Sequence, residues 1–224
     1  AERIYRVTRR VRHLEKPLLI MIGGGPGVGK STISAELGSI LGINRVIGSD
    51  TIREIMRGMI SYELFPTLHE STYMADEAIK SPYVTNPLIH AFDQQVSLVS
   101  EGIKAVINRG MKEGLNMIIN GVHIVPGYLD LNDKKEGSYI LNYVLEVPDL
   151  DKHKQRFKAR AEGSKRDPER YLDRMEKIRK IQDYTISNAK KEGVKIIKNY
   201  DMDDTIRTIT MDLVNKLEED TGCP

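Results

Sequence analysis

The chain has 224 residues, 40% of them hydrophobic and 29% charged, which suits one α/β domain with a buried core and a solvated surface. Its formal net charge of +2 argues against a uniformly basic nucleic-acid-binding protein, and no apolar run is long enough to cross a bilayer. The single cysteine argues against a disulfide framework and for a reducing compartment. We therefore expect a cytoplasmic protein whose partners are small molecules rather than nucleic acids or membranes.

Residues 1–16 precede the first apolar run and are expected to form a basic lead-in segment. Because the chain begins with Ala1 rather than Met, we also expect that an N-terminal part of the natural protein precedes it. Residues 17–224 are expected to form a single domain.

Five short apolar runs, each followed by turn residues, predict β-strands. They are residues 17–23, 45–48, 116–120, 138–147 and 194–198. Apolar residues at helical spacing predict helices between and after these strands. The helical patterns lie at residues 31–41, 52–60, 96–107, 172–181 and 206–217. Strands that alternate with helices indicate a parallel sheet with helices on both faces, so ligands are expected at the carboxyl ends of the strands.

A glycine-rich motif directly follows the first predicted strand. Residues 24–31, called the P-loop below, read Gly-Gly-Pro-Gly-Val-Gly-Lys-Ser, which is the pattern G-x-x-x-x-G-K-[ST] between a strand and a helix. In this setting backbone N–H groups, the helix dipole and the lysine ammonium converge on nucleotide phosphates, and the serine hydroxyl can ligate Mg²⁺. A glycine-rich turn without a ligand would not explain the lysine. The expected nucleotide contacts are Gly24, Gly25, Gly27, Val28, Gly29, Lys30, Ser31 and Thr32, with Lys30 also taking part in catalysis.

The motif and the alternation of elements predict a three-layer P-loop NTPase fold with five parallel strands in the order 2-3-1-4-5. Residues 52–95 do not follow simple alternation, because Pro66, Pro82 and Pro87 interrupt the helical pattern. We interpret them as a helical insertion that binds an acceptor substrate, although a purely structural excursion would have the same pattern. Residues 151–181, which are rich in Lys and Arg, are expected to form a lid and the following helix.

A carboxylate and two arginines follow the second predicted strand. Asp50 would lie near the γ-phosphate, where it could orient or deprotonate an acceptor hydroxyl or help to hold Mg²⁺. Asp50 could also be the N-cap of the next helix, and Thr51 with Glu54 has the spacing of a capping box. Arg53 and Arg57 share one helical face and could clamp an anionic substrate, or could be a solvent-exposed pair.

The third predicted strand ends in Asn120, where many P-loop proteins carry an acidic residue that holds the water shell of the metal. An amide can hydrogen-bond a metal-bound water but cannot neutralise Mg²⁺, so Ser31 and Asp50 are the expected metal-holding residues. His123 could contact a substrate oxyanion or be a buried, hydrogen-bonded histidine. Because no histidine cluster accompanies it, no structural metal is expected.

The fourth predicted strand is followed by a basic helix and by a loop with glycine, serine and proline at residues 163–168. Arg156 and Arg160 lie one helical turn apart, and we expect them to act in catalysis when this lid closes over the transferring phosphoryl group. The alternative is an ordinary solvated helix face. After the fifth strand, residues 199–201 could pack on the adenine.

Several of these stretches together resemble the archaeal 2-phosphoglycerate kinase family. They are residues 23–32, 46–54, 66–73, 99–103 and 121–127, and the similarity covers residues 17–215. The resemblance implies transfer of the γ-phosphate of ATP, with Mg²⁺, to the hydroxyl of 2-phosphoglycerate. The product, 2,3-bisphosphoglycerate, leads to a cyclic compound in some methanogens. Family members often carry an N-terminal ATP-cone regulatory domain, which is not expected within this chain, and an acidic residue where this chain has Asn120.

The implied substrate carries a phosphate, a carboxylate and one free hydroxyl, so several cations are needed beside ATP. The expected substrate-binding residues are Arg53, Arg57, His69 and His123, with Arg156 and Arg160 supplying further positive charge. Two alternatives stay open: a P-loop kinase of another small acceptor, such as a nucleoside, a sugar or adenylyl sulfate, and a non-catalytic nucleotide-sensing regulator. The sequence leaves the oligomeric state open.

Overall fold

The computed structural model describes Val11 and residues 14–162 and 167–221. Within this part, five parallel strands form one sheet in the order β2-β3-β1-β4-β5, which confirms the predicted topology. Each strand begins and ends within one residue of its predicted position: β1 is Leu18–Gly24, β2 Val46–Gly48, β3 Met117–Asn120, β4 Tyr139–Glu146 and β5 Lys195–Lys198. Residues 1–10, 12 and 13 of the predicted lead-in, and residues 163–166 of the predicted lid loop, lie outside the described residues.

Helices cover both faces of the sheet, as predicted. In the described part they are α1 (Lys30–Leu41), α2 (Ser49–Met59), α3 (Pro66–His69), α4 (Pro87–Lys112), α5 (Leu150–Glu162), α6 (Glu169–Leu172), α7 (Met175–Lys191) and α8 (Met202–Thr221). There are also 3-10 helices at Thr72–Ala78, called the 3-10 helix below, and at Asn132–Lys134. Side chains of β1 alternate between two cores: Leu18, Ile20 and Ile22 pack with α1 and α8, whereas Leu19 and Met21 pack with α4. None of the helices described combines the length and the apolar composition that a bilayer crossing requires.

Helices α2, α4 and α8 begin at least three residues earlier than the apolar periodicity indicates. Helix α2 starts at Ser49, directly at the end of β2, and α4 starts at Pro87 and therefore includes residues that the sequence assigns to the insertion. Pro87 does not break a helix here but begins one, since proline at the first helical position loses no hydrogen bond. The Asn86 side chain accepts a hydrogen bond from the Ile89 N–H at 3.3 Å and caps this start.

Candidate active site

A cleft of about 990 Å³ brings together most of the segments in which the sequence predicts chemistry. Its wall is formed by the P-loop, the ends of β2 and β3, the first turns of α2, the 3-10 helix, α5, α6 and the segment after β5. The predicted site residues in this wall are Gly27, Gly29, Lys30, Ser31, Thr32, Asp50, Arg53, Arg156 and Arg160. The predicted residues that do not contribute to the wall are Gly24, Gly25, Val28, Arg57, His69 and His123.

The P-loop connects β1 to α1 at the carboxyl edge of the sheet. Helix α1 begins at Lys30, and its N-cap, Gly29, has a φ of 94°. Gly27 has a φ of 78°, and a Cβ atom there would collide with the ring of Phe157 from α5. Glycine is favoured at both positions, so the loop can present its backbone at the N-terminus of α1, where the helix dipole attracts anions.

Lys30 is nearly buried, and its Nζ donates a hydrogen bond to the Gly25 carbonyl at 2.7 Å. Burial lowers the pKa of the ammonium to about 8, and this effect is opposed by Asp50 and reinforced by Arg160. A bound phosphate would add negative charge and favour the charged form again. The ammonium is therefore charged at neutral pH and loses its charge when the pH rises above about 8, unless a bound anion raises its pKa.

Ser31, in the first turn of α1, faces Asn120 at the end of β3. The Ser31 hydroxyl donates to the Asn120 side-chain oxygen at 3.4 Å, and the strand register pairs Asn120 with both Ile22 and Gly48. In the described part of the chain, no group of three or more His, Cys, Asp or Glu side chains could hold a metal ion. The hydroxyl, the amide oxygen and the nearby Asp50 carboxylate are hard oxygen donors, which fits Mg²⁺ held chiefly through nucleotide phosphates and water.

Asp50 lies in the first turn of α2 and points into the cleft. The N-cap of α2 is Gly48, and no side chain caps this end of the helix, so the capping interpretation of Asp50 and of Thr51 with Glu54 is wrong. The Asp50 side chain is 72% exposed, and its carboxylate lies 3.9 Å from the Arg53 Nε. This carboxylate is therefore free to meet a ligand beside the P-loop.

The two arginines of α2 have different surroundings. Arg53 lines the cleft, and its Nη1 donates to the carbonyls of Leu68 and Glu70, each at 3.0 Å. Arg57 instead pairs with the Glu54 carboxylate at 3.0 Å and lies outside the cleft wall. The structure thus places Arg53 in the cleft wall and Arg57 beside the wall, paired with the wall residue Glu54, and a substrate contact by Arg57 stays a prediction.

Neither of the two predicted substrate-binding histidines forms part of the cleft wall, and the ring of each is engaged by other protein groups. His123 is fully buried, with its Nδ1 at 2.9 Å from the Ser49 hydroxyl and its Nε2 at 3.2 Å from the Gln95 side-chain oxygen. Burial lowers the pKa of His123 to about 4, so the ring is neutral and positions Ser49 at the start of α2. The His69 ring packs near the end of α2, where its Nε2 lies 2.9 Å from the Ile60 carbonyl.

The two arginines of α5 also have different contacts. The Arg156 guanidinium donates to the Val28 carbonyl at 2.9 Å and to the Asn199 carbonyl at 2.6 Å, and burial lowers its pKa. Arg156 thus holds the P-loop to the segment after β5, and its role in catalysis stays a prediction. Arg160 is exposed in the cleft wall and close enough to Lys30 to lower the pKa of its ammonium.

The cleft also contains residues that the sequence analysis did not single out within the predicted insertion and lid. They include Ser71, Thr72 and Tyr73 at the start of the 3-10 helix, and Arg170 and Tyr171 in α6. The stretch 66–73 stands out in the sequence only by its resemblance to a family, and no spacing or motif distinguishes Arg170 from its basic neighbours. The charged groups of the described wall are the cations Lys30, Arg53, Arg156, Arg160 and Arg170 and the carboxylates Asp50 and Glu54.

Residues 20–182 match the protein family described as AAA domain. The 2-phosphoglycerate kinase of Thermococcus kodakarensis is 42% identical over 215 residues, which cover 96% of this chain and 72% of that protein. The chain belongs to the 2-phosphoglycerate kinase family. Another member, the 2-phosphoglycerate kinase of Methanopyrus kandleri, is 41% identical over 97% of this chain and 66% of its own length.

Solved structures of more distant kinases share the fold of this 2-phosphoglycerate kinase family member. Shikimate kinase from Acinetobacter baumannii, in complex with shikimate, has a TM-score of 0.54 and 16% identity, over 94% of this chain and 99% of its own. A gluconokinase from Sinorhizobium meliloti has a TM-score of 0.53 and 14% identity, over 93% of this chain and 97% of its own. At this identity the likeness concerns the fold alone. As a member of a kinase family, the chain is an enzyme that uses a nucleotide.

Proposed function

We propose that this enzyme transfers the γ-phosphoryl group of ATP to the free hydroxyl of 2-phosphoglycerate, giving ADP and 2,3-bisphosphoglycerate. The observation that carries the proposal is the excess of positive charge in one cleft, where Lys30 and four arginines outnumber Asp50 and Glu54. Two polyanionic ligands that meet in one cleft require such an excess. The names of the family members support the choice of the acceptor.

The donor phosphates are expected at the P-loop, where backbone N–H groups, the dipole of α1 and Lys30 would bind them. The Ser31 hydroxyl would hold Mg²⁺ directly, with Asn120 and Asp50 reaching its water shell. When bound, Mg²⁺ would neutralise charge on the β- and γ-phosphates. Arg160, beside Lys30, would stabilise the negative charge of the transferring group.

The acceptor hydroxyl is expected beside Asp50. In the transfer, the hydroxyl oxygen bonds to the γ-phosphorus and its proton passes to the Asp50 carboxylate. The bond between the γ-phosphorus and the β,γ-bridging oxygen breaks, and ADP leaves with the electron pair. An exposed carboxylate in the cleft, without a capping role in α2, is suited to this task.

The proposal is tested by measuring ADP release with a panel of acceptors at saturating MgATP. The panel contains 2-phosphoglycerate, 3-phosphoglycerate, glycerate, shikimate, gluconate and a nucleoside. We expect 2-phosphoglycerate to give the highest kcat/KM. If it releases no ADP above the rate without acceptor while another compound does, the choice of acceptor is wrong.

A further inference from the structure

Four polar side chains at the cleft wall come from two separate segments of the chain. Ser71 and Tyr73 lie at the start of the 3-10 helix, and Arg170 and Tyr171 lie in α6. The Arg170 Nη2 donates a hydrogen bond to the Ser71 hydroxyl at 3.1 Å, and the Tyr73 hydroxyl interacts with those of Ser71 and Tyr171. These four residues, called the Arg170 cluster below, form one connected patch of hydrogen-bonding groups in the cleft.

Arg170 differs from two other arginines of the cleft in how its charge is used. Arg156 donates to two backbone carbonyls, and Arg53 does the same and also lies near two carboxylates. Arg170 is exposed, and the hydrogen bonds that it makes within the described part of the chain go to the neutral Ser71 hydroxyl and Met74 sulfur. Its positive charge is therefore available to an anionic ligand.

Aromatic packing fixes the Arg170 cluster relative to the P-loop. The Tyr171 ring stacks on Phe157 with 4.8 Å between the ring centroids, and it packs against Tyr73 at 5.5 Å. Phe157 in turn lies against Gly27. The Tyr73 hydroxyl is protonated at neutral pH and can donate, and burial raises its pKa further above the ordinary value for tyrosine. Donors that are already in place lose little conformational freedom when a ligand binds.

We propose that the Arg170 cluster binds the phosphate group that the acceptor already carries, rather than its carboxylate. This inference rests on the proposed function, because the acceptor of that reaction brings both groups. A guanidinium offers parallel donors, and the hydroxyls of Ser71, Tyr73 and Tyr171 add more. A phosphate monoester has three free oxygens that can accept these bonds, whereas a carboxylate has two. The transferred phosphate is expected at Lys30, so the two phosphates of the reaction have separate sites.

Calorimetric titration of the full chain tests the inference with three probes. They are 2-phosphoglycerate, glycerol 2-phosphate, which lacks the carboxylate, and glycerate, which lacks the phosphate. Arg170→Ala is expected to weaken binding of both phosphorylated probes by about 10- to 100-fold. The dissociation constants of glycerate and ATP should change by no more than about twofold. Arg170→Lys keeps a charge but loses the planar fork and should give a smaller loss.

Arg174→Ala is the matched control. Arg174 precedes α7, lies outside the cleft wall, and contacts Glu77 of the 3-10 helix at 3.7 Å. This substitution removes the same charge and a contact to the same helix, and it should leave the affinity of all three probes unchanged. If Arg170→Ala does not fold, Ser71→Ala carries the test, with a smaller loss confined to the phosphorylated probes.

Two outcomes would overturn the inference. If Arg170→Ala weakens the binding of glycerate and 2-phosphoglycerate but not of glycerol 2-phosphate, the cluster binds the carboxylate. If the affinity of no probe falls, Arg170 only fastens α6 to the 3-10 helix. The proposed function fails separately, when the unmodified chain does not phosphorylate 2-phosphoglycerate, because binding of glycerol 2-phosphate is measured without turnover.

Discussion

The donor side and the acceptor side of the cleft are built in different ways. On the donor side, consecutive residues of the P-loop present backbone groups whose conformation is set by glycines such as Gly27 and Gly29. The acceptor side is assembled from side chains of α2, the 3-10 helix and α6, which lie far apart in the sequence. Nucleotide binding is thus specified locally, whereas acceptor binding depends on how three segments pack together.

This difference has a kinetic consequence. Substitutions on the donor side should change the KM and the affinity for ATP. Substitutions in the Arg170 cluster should change the KM and the affinity for the acceptor. Residues that act on the transferring group should change turnover while both affinities stay similar. Four substitutions or conditions distinguish these regions, and they are ordered below from the largest expected effect to the smallest.

The largest effect is expected for Arg160→Ala. Arg160 lines the cleft near Lys30, where it can stabilise the charge of the transferring phosphoryl group. Steady-state kinetics should show a fall in kcat of about 10³-fold or more, with smaller changes in either KM. Lys158→Ala, on an exposed position of α5 outside the cleft wall, is the control and should leave kcat unchanged. A near-normal kcat for Arg160→Ala would exclude this arginine from catalysis.

Asp50→Asn should have the next largest effect. It keeps the shape of the side chain but removes the group that accepts the hydroxyl proton, so kcat should fall by about 10²- to 10³-fold. The ATP dissociation constant, measured by calorimetry, should change little. Glu54→Gln removes a carboxylate one turn further along α2 and should lower kcat far less. Equal losses in the two variants would indicate that Asp50 contributes only general charge.

The affinity for ATP should depend on pH through Lys30. Its pKa of about 8 means that the ammonium of the free enzyme loses its proton as the pH rises through that value. Because only the charged form attracts phosphates, ATP binding should weaken above pH 8, by up to about tenfold per pH unit. Titrations from pH 7 to pH 9 measure this slope, which should vanish in Lys30→Arg. A constant affinity for the unmodified chain would contradict the assigned environment of Lys30.

Arg156→Ala should have the smallest effect, and it should change the affinity for ATP rather than kcat. Because Arg156 fastens the P-loop through the Val28 and Asn199 carbonyls, ATP affinity should fall roughly threefold to tenfold. Arg179 makes the same kind of contact with the Val147 and Pro148 carbonyls, away from the cleft, so Arg179→Ala should leave ATP affinity intact. A large loss of kcat in Arg156→Ala would show that this guanidinium reaches the phosphoryl group during turnover.

The sheet and the P-loop could be predicted because their signals are contiguous in the sequence. A buried parallel strand such as β1 is an unbroken apolar run, and it ends where the glycines of the P-loop begin. The start of α4 could not be placed in the same way. Pro87 is compatible with either a break or a first turn, and the choice depends on the Asn86 cap.

The acceptor side could be predicted only in part, because its chemistry depends on tertiary contacts. His123 follows β3 at a position where a ligand contact is plausible, but Ser49 and Gln95 occupy both of its ring nitrogens. The proposed phosphate-binding role of Arg170 depends on a tertiary contact between α6 and Ser71, which no spacing in the sequence reveals. The sequence does place Asp50 correctly in the cleft, since the residue lies two positions after the end of β2.

The most direct test of the account is phosphorus NMR of a reaction containing the chain, MgATP and 2-phosphoglycerate. We predict that the signal of 2-phosphoglycerate is replaced by two phosphomonoester signals of equal intensity, those of 2,3-bisphosphoglycerate, while ATP is converted to ADP. Asp50→Asn should give the same products at a much lower rate. Conversion of ATP to ADP and inorganic phosphate with 2-phosphoglycerate unchanged would contradict the proposed reaction.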